Sequence, residues 1–525
     1  MDSPLPETPH PWKTPENYAL AGGIFTGLVC VLCSYQHFGV TWDTNTQLTY
    51  ADLVIGYFAS GGTDTSCNQF YNLRYYGGLF EVLATRFGRI FSSDVFVGRH
   101  LFTGLVSVAA IPAVMQAARQ LGCRWIGMAC AGLALFLLPR WLGHTCNNSK
   151  DLPFAVGFAW SIVLMMSLWR DPDLPWRHVI LAAGAVGLTM ACRAGGILLY
   201  GFAGLGLALH IWAHHDRWTQ VDYWPRGLLK GAVFIAISWL LMIACWPWAH
   251  ENPILHPIAA IQEAGSFSQE KTVLLAGSEL TSDALPRSYL LRYLWLSTPT
   301  VPLLLALIGL GIVICELRKL RSSHALWLLW VAFPLAYFAI LRPHVYDGLR
   351  HFLFLLPALA VGAAVGAERL IDKRRWLAPL LAVLALATFA ESARWHPYQT
   401  SYFQPLVGGE LHELYDVDYW ASSYREAALW IAEQSGDRPV RILLAANKHS
   451  QVCFTNFATP NMELFTIFSG HQTGPVPPGI DYYVGMARYG FADFFSDSPI
   501  VYRIGRSRAR LAVIRQAAGP LKAAE

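Results

Sequence analysis

Long apolar runs separated by short polar segments dominate this chain of 525 residues. About eleven of the runs are about 17 to 22 residues long, enough for an α-helix to cross a hydrocarbon core of about 30 Å. They lie near residues 18–35, 98–118, 124–140, 152–169, 177–192, 195–212, 228–248, 299–316, 324–341, 351–368 and 375–391. The pattern predicts an α-helical polytopic membrane protein whose transmembrane domain occupies residues 1–391.

Two long polar stretches interrupt the runs, at residues 36–97 and 249–298. In the first, apolar residues at positions 48, 50, 53, 54, 57 and 58 recur with a helical period. This spacing predicts an amphipathic helix that lies along the membrane surface. We interpret the second stretch as a flap near a functional site, because long outer loops often carry function.

After the last run, residues 392–525 change character. A helical pattern over 423–435 ends at Gly436, and short strand-like runs follow at 440–446, 481–487, 500–505 and 510–516. Alternation of such runs with turns predicts a small α/β domain outside the membrane. No catalytic constellation is recognisable in it, so we interpret it as a lid or an acceptor-docking scaffold.

Composition and charge agree with a membrane protein and indicate its orientation. The chain is 54% hydrophobic and 14% charged, whereas soluble domains average about 25% charged residues. A net charge of +4 is too small to indicate nucleic-acid binding. Alternate short loops are basic, which predicts that they and the N-terminal tail face the cytoplasm of an inner (plasma) membrane. Their basic residues are Arg119, Arg124, Arg170, Arg177, Arg217, Arg226, Lys230, Arg318, Lys319, Arg321, Arg369, Lys373, Arg374 and Arg375.

The opposite side, which would face the periplasm or the cell exterior, collects polar residues at the ends of apolar helices. Ionisable groups at membrane depth cost about 2.5–3.5 kcal/mol each and usually mark function. The candidates lie in "TWDTNTQ", "NLRYYGG", "HTCNNSKDLPF" (144–154), "MACRAGG" and "RPHVYDGLRH". They are Asp43, Arg74, Asn147, Asn148, Lys150, Asp151, Arg193, Asp347 and Arg350.

Several of the candidates also have a structural interpretation. Asp43 could be a solvated loop residue or a helix cap, and Ser149 or Asp151 could cap the helix that starts near Pro153. Arg193 and Arg350 could extend to the interface as snorkelling side chains, and Arg74 could pair with lipid headgroups. Taken together, however, the set combines a carboxylate base with cations able to hold a phosphate. The free N–H groups of a helix beginning after "NNSKD" would also favour an anion.

At these positions the sequence resembles the GT-C membrane glycosyltransferases, which use polyprenyl-phosphate-linked sugars as donors. The resemblance rests on the acid after the first span, the acid that opens the fourth span, the Arg before an aromatic pair and the Arg ahead of "FLFLLP". It extends to "HPYQTSYFQPLVGG" (396–409) and "DVDYWASSYREAALW" (416–430), and so covers nearly the whole chain. Aminoarabinose transferases, protein O-mannosyltransferases and bacterial enzymes of undefined acceptor are similar.

The resemblance implies an inverting transfer of a sugar to a hydroxyl of a lipid, a glycan or a protein. It implies that Asp43 is the general base and that Asp151 orients the acceptor or the base. Binding of the donor phosphate would fall to Arg74, Lys150, Arg350 and Arg193, supported by Asn147, Asn148 and Asp347. Thr44 stands where the family has a second acid. A requirement for a divalent metal is therefore possible but is not supported by an acidic pair. No cofactor and no metal ligand are assigned.

Two other classes of function are compatible with many spans. A transporter or flippase of a lipid-linked envelope precursor would also carry intramembrane charge, and such proteins often contain internal repeats and broken helices at the midplane. We find no repeat, and the charges lie at outer helix ends. A non-catalytic scaffold of an envelope complex is disfavoured by the set of carboxylates and cations.

Overall fold

The fold was analysed in a computed structural model that describes residues 14–265, 271–317 and 322–517. The predicted cytoplasmic position of the N-terminal tail before Thr14 lies outside the described residues, and so do the basic residues at 318–321.

Helices account for most of the described chain up to residue 393, and each predicted apolar run lies largely within one or two of them. The helices of this part are α1 Pro15–Ser34, α2 Trp42–Ala59, α3 Leu79–Phe91, α4 Val95–Val108, α5 Ala110–Gln120, α6 Trp125–Phe136, α7 Pro139–His144, α8 Asp151–Arg170, α9 Trp176–Met190, α10 Leu198–Ala213, α11 His215–Trp218, α12 Tyr223–Ala244, α13 Pro247–Glu251, α14 Leu255–Gly265, α15 Tyr289–Ser297, α16 Thr300–Glu316, α17 Ser322–Leu341, α18 Leu355–Lys373 and α19 Leu377–Ala393.

Within the described residues, 6 helical segments are long and apolar enough to cross a membrane. They are Pro15–Ser34, Val95–Gln120, Asp151–Arg170, Ala194–Ala213, Tyr223–Ala244 and Ser322–Leu341, and α6, α16 and α19 are shorter apolar helices. The polytopic α-helical class is confirmed, whereas the count of about eleven spans stays a prediction. The predicted run at 98–118 is divided between α4 and α5 at Ala109.

Glycines let some of these helices approach closely. A Cβ on Gly309 of α16 would collide with the carbonyl oxygen of Gly362 on α18. Across from them, the indole N–H of Trp327 donates to Ala358 O at 3.1 Å, and that of Trp330 donates to Phe354 O at 2.8 Å. Both indoles are buried, so their N–H groups need these carbonyl partners. Helices α16 and α17 thereby fix α18, whose N-terminal end leads to the site.

The first long polar stretch, residues 36–97, contains the predicted helix as α2. Its buried face includes Thr44, Gln47, Tyr50, Val54 and Tyr57, which recur every three or four residues. Two of these residues are polar, so this face packs on protein and also reaches a polar region. Helix α3 follows and packs on α4.

The second outer stretch has more regular structure than a simple loop. After α13 and α14, strands β1 Thr272–Leu275 and β2 Ser278–Thr281 form an antiparallel hairpin, and α15 follows. Leu275 bridges Tyr415, and Gly277 N donates to Leu414 O at 3.1 Å. The hairpin therefore rests on the C-terminal part of the chain.

The C-terminal part is α/β, as predicted. Helices α20 Leu411–Leu414, α21 Tyr424–Ser435 and α22 Val452–Thr455 accompany strands β3 Val440–Ala445, β4 Met462–Ile467, β5 Tyr482–Met486, β6 Ile500–Arg506 and β7 Ala509–Gln516. The sheet order is β4-β3-β5-β7-β6, with β3 parallel to β4 and β5, and β7 antiparallel to β5 and β6. Strand β4 was not predicted from the sequence; it lies at the sheet edge with one face largely exposed. Gly436 ends α21 with a φ of 55°, as the helical pattern indicated.

Candidate functional site

A polar cavity of about 420 Å³ lies where the two outer stretches, the start of α8, the 342–351 turn and the C-terminal domain meet. Its charged lining residues are Asp43, Lys150, Lys271, Asp347, Arg350 and Arg488. Four of these six are sequence candidates from three separate parts of the chain. Folding therefore places the predicted base and predicted cations around one space.

Asp43 lies in the first turn of α2, where the N-cap residue is Thr41, so Asp43 does not cap this helix. Its carboxylate lies 3.1 Å from Lys150 Nζ and 3.6 Å from Arg350 Nη1, and 35% of the side-chain surface is exposed. Burial alone would raise the pKa of this carboxyl, but the charges of Lys150 and Arg350 outweigh burial and lower the pKa below its usual value. Asp43 is therefore ionised and accessible from the cavity.

The stretch at 144–154 forms a tight turn that Asn148 organises. Its side-chain oxygen accepts hydrogen bonds from Lys150 N at 3.3 Å and Asp151 N at 2.9 Å. Helix α8 begins at Asp151, and the Ser149 hydroxyl donates to Glu81 Oε1 at 2.7 Å. The interpretation of Ser149 or Asp151 as the cap is therefore wrong. The Asn148 oxygen accepts from the N–H groups of Lys150 and Asp151, so neither is free to bind an anion. The free N–H groups expected after "NNSKD" stay a prediction.

Asp151 is held from several sides inside the protein. Arg193 Nη1 pairs with its Oδ1, and Asn148 Nδ2 donates to its Oδ2 at 3.1 Å. Arg350 Nε lies 3.7 Å from the same Oδ2. With both oxygens engaged and the residue buried, this carboxylate is placed to orient cations.

Arg350 connects the carboxylates. Its guanidinium lies 3.6 Å from Asp43, 3.7 Å from Asp151 and 3.3 Å from Asp347, and its side chain is 5% exposed. The pKa of Arg350 is raised, because Asp347 and the other nearby anions outweigh the opposing effect of burial. This arginine therefore carries a fixed positive charge at the wall of the cavity.

Lys150 is positioned by residues that the sequence analysis missed. With its amide oriented so that both ends have partners, Gln47 donates to Glu81 Oε1 and accepts from Lys150 Nζ, each at 3.1 Å. Glu81 in turn pairs with Arg99 inside the protein. Two opposite charges within the apolar helices α3 and α4 were a signal that could have revealed this pair.

Arg488, from the turn after β5, is a further missed residue. Its guanidinium lies 2.8 Å from Asp347 and donates to Tyr419 O at 2.9 Å. Because Asp347 also pairs with Arg350, the C-terminal domain is joined directly to the charged cluster. No periodic pattern or motif around "MARYGF" marks this arginine, so only the folded chain reveals its position.

A second cavity of about 180 Å³ adjoins the polar one and shares Tyr76 and Tyr346 with it. Most of its wall is apolar or aromatic, including Phe154, Leu198, Phe333, Pro334, Phe352 and Phe354. Arg193 lies in this wall, with its guanidinium 5.6 Å from the centre of the Tyr76 ring. An apolar space thus borders a cationic one.

Four candidates lie outside these linings: Asn148 and Asp151, whose contacts are given above, and Arg74 and Asn147. Arg74 donates to the Tyr75 hydroxyl at 3.0 Å and lies over the Trp248 ring at 5.6 Å. Tyr75 lines the apolar cavity, so Arg74 contacts a wall residue. Asn147 is buried beside Asn148 in the turn. Among the described residues, no group of three or more His, Cys, Asp or Glu side chains is arranged to hold a metal ion.

Solved structures share this fold of an apolar helical bundle with a C-terminal α/β domain and a charged cavity between them. ArnT from Cupriavidus metallidurans in the apo state matches with a TM-score of 0.50 and 16% identity, over 95% of this chain and 99% of that chain. ArnT bound to undecaprenyl phosphate matches with a TM-score of 0.51 and 15% identity, over the same 95% and 99%.

An oligosaccharyltransferase from Archaeoglobus fulgidus has a TM-score of 0.48 and 12% identity, over 92% of this chain and 71% of that chain. No protein-family model matches the sequence, and no curated protein matches it. The chain shares the fold of these ArnT structures, the GT-C fold that the sequence resemblance implied.

Proposed function

We propose that the protein is a membrane glycosyltransferase that moves a sugar from a polyprenyl-phosphate donor to a hydroxyl acceptor, with inversion at the anomeric carbon. The observation that carries this proposal is the pair of adjoining cavities. One holds an ionised, accessible carboxylate among cations, and the other is mostly apolar and shares Tyr76 and Tyr346 with it. A donor with a charged group next to a long hydrocarbon chain fits such a pair.

In this proposal the first prenyl units of the donor occupy the apolar cavity and the phosphate lies near Arg193, Arg350 and Lys150. Charge-assisted hydrogen bonds from guanidinium and ammonium groups to phosphate are among the stronger polar contacts in proteins. Arg74 supports the wall through Tyr75. The solved ArnT complex with undecaprenyl phosphate supports a lipid phosphate as the donor class.

Asp43 acts as the general base. It takes the proton of the acceptor hydroxyl while that oxygen forms a bond to the anomeric carbon, and the bond from this carbon to the phosphate oxygen breaks. The electron pair leaves with the polyprenyl phosphate, whose charge the cations balance. Attack from the face opposite the phosphate inverts the configuration. Asp151, whose oxygens already bind Arg193 and Asn148, orients the cations.

The lowered pKa of Asp43 would make it a weak base in the empty site. Lys150 and Arg350 cause this lowering, and a bound phosphate would neutralise part of their charge. Donor binding therefore raises the pKa of Asp43 and strengthens the base when a substrate is present. This coupling disfavours proton uptake before the donor arrives.

The site faces the periplasm or the cell exterior in this proposal, and residues 392–525 form the outer domain above the inner (plasma) membrane. The support is the distribution of charge. Basic residues such as Arg170 and Arg217 lie at the opposite ends of the helices, and short cytoplasmic loops are enriched in such residues.

Replacing Asp43 by Asn tests the base. Purified protein is incubated with a labelled polyprenyl-phosphate sugar and an envelope extract, and release of polyprenyl phosphate is measured. We expect turnover to fall by about 10²- to 10⁴-fold, the usual contribution of a general base. Asp52→Asn is the matched control, because Asp52 lies on the same helix and pairs with the exposed Arg89. Equal turnover by Asp43→Asn and the control would refute the assignment.

The same experiment separates the enzyme from a transporter or flippase. With the protein in sealed vesicles, a transporter would move the labelled sugar-lipid across the bilayer with its phosphate bond intact. We expect cleavage that depends on Asp43. Translocation without cleavage would overturn the proposed function.

A further inference from the structure

Three residues that line the polar cavity have backbone conformations that non-glycine residues rarely adopt. Tyr71 has a φ of 49°, Asp347 of 60° and Tyr489 of 61°. The left-handed region is disfavoured for residues with a Cβ, and strain of this kind clusters at binding and active sites. Asp347 serves the charged cluster, but the two tyrosines have no part in the chemistry described above.

Both tyrosines belong to a set of partly exposed rings around the cavity, which we name the aromatic rim: Trp42, Tyr71, Phe468 and Tyr489. Tyr71 is 59% exposed, Tyr489 42% and Phe468 37%. Large apolar surface left open beside a polar site commonly marks binding. The rim is therefore a second feature of the cavity, separate from its charges.

Ring contacts join the rim across two parts of the chain. Tyr489 stacks on Trp42 with ring centres 6.4 Å apart, and Phe468 meets Tyr489 edge-on at 6.2 Å. On another part of the lining, Tyr71 meets His449 at 5.8 Å. Trp42 is thus joined by ring contacts to Tyr489 and Phe468 of the C-terminal domain, and it directly precedes Asp43. Tyr71 borders the same cavity.

We propose that the acceptor is a saccharide bound against the aromatic rim, with one of its hydroxyls presented to Asp43; this inference rests on the proposed function. A sugar ring has a face of C–H groups that packs on an aromatic ring and an edge of hydroxyls that hydrogen-bonds polar side chains. The cavity supplies both kinds of surface, since Asn447, His449 and Gln47 also line it.

The charges of the cavity favour this class over an alkyl acceptor. Six charged side chains line the space, and burying a hydrocarbon chain against them would remove water from charges without compensation. A saccharide brings its own hydroxyl groups to replace that water. The saccharide could belong to a soluble glycan or to the headgroup of a glycolipid, and both present the same ring chemistry.

The first part of the test identifies the acceptor. Detergent-solubilised protein is incubated with a polyprenyl-phosphate-linked [¹⁴C]sugar and an envelope fraction from the cells that encode it. The product is divided into solvent-extracted lipid, protease-released peptide and aqueous glycan, and its linkage is analysed. We expect the label on a sugar residue, in the glycan fraction or on a glycolipid headgroup. Label on an amino-acid side chain or on a lipid without a sugar would overturn the inference and leave the proposed function standing.

The second part tests the rim. We expect Tyr489→Ala to raise the acceptor KM by about tenfold, the value of an aromatic contact, with the donor KM unchanged, and Tyr489→Trp to restore it. Phe465→Ala is the control, since Phe465 is 40% exposed on β4 but does not line the cavity. An acceptor KM that is unchanged in Tyr489→Ala would overturn the inference. If the wild type transfers no more label than Asp43→Asn, the proposed function itself fails.

Discussion

Replacing Arg350 by Met removes the cation that joins the carboxylates of the site. The guanidinium is 5% exposed and lies within 3.7 Å of Asp43, Asp151 and Asp347. A charge-assisted hydrogen bond contributes about 1.5–3 kcal/mol. If Arg350 binds the donor phosphate, its loss should weaken donor binding by about 10- to 150-fold.

The folded state should survive this change. Removing one partner from a buried ion pair costs about 3–5 kcal/mol when the other charge is left alone. Here each carboxylate keeps another cation: Arg488 for Asp347, Lys150 for Asp43, and Arg193 for Asp151. We therefore expect a loss in the free energy of unfolding of at most about 3 kcal/mol, seen as a lower but cooperative melting transition in detergent.

The assay is the donor KM from initial rates of polyprenyl phosphate release, with donor binding measured separately by displacement of labelled polyprenyl phosphate. Arg369→Met is the control, because Arg369 lies near the end of α18, the helix that follows Arg350, and is half exposed. The donor affinity of Arg350→Lys should fall between those of the wild type and Arg350→Met, because lysine keeps the positive charge but lacks the paired N–H donors of a guanidinium. A donor affinity within twofold of the wild type in a folded Arg350→Met protein would refute the binding of the donor phosphate by Arg350.

The charge around Asp43 and the contact between α16 and α18 can each be tested by substitution. The pKa of Asp43 is lowered in the folded protein, so its carboxylate is protonated only as pH falls below the ordinary value of about 3.9. The acid limb of kcat/KM should therefore lie below pH ~4, and Lys150→Gln should move it to higher pH. A wild-type acid limb above pH ~5 would contradict this assignment of the base. Gly309→Ala should cost about 1–3 kcal/mol of stability by overpacking against Gly362. In Gly311→Ala the added Cβ meets no heavy atom within 4 Å, so its melting temperature should not fall, and equal melting of both variants would argue against the close helix contact.

Much of the site could be predicted from the chain because charges at the ends of apolar helices are conspicuous. Asp43, Lys150, Asp151, Arg193, Asp347 and Arg350 lie together as ion pairs. The details of the turn at 144–154 could not be predicted in this way. Asn148, Ser149 and Asp151 all have side chains able to cap a helix, and only the coordinates show that Asn148 accepts the hydrogen bonds.

The C-terminal domain shows the opposite case. Apart from β4, its strands are recognisable as short apolar runs that alternate with turns. The side chains that reach the cavity lie in turns, however, where spacing along the chain does not indicate which way a side chain points. Arg488 and Tyr489 enter the site because the turn after β5 bends back toward α2. Burial of that turn against Asp347 is a contact between residues about 140 positions apart, which no local pattern encodes.

The membrane class, the helices and the residue types of the charged site follow from the sequence, because hydrophobic burial and the cost of charge at membrane depth act on local composition. The tertiary structure alone decided which charges meet, that Arg350 joins the carboxylates, and that an apolar cavity borders a polar one with an aromatic rim. Pairing is decided by packing between distant segments, since a charge fixes only the kind of partner it needs. In "HTCNNSKDLPF", Lys150 and Asp151 each need a partner of opposite charge. The fold brings Asp43 to Lys150, and Arg193 and Arg350 to Asp151.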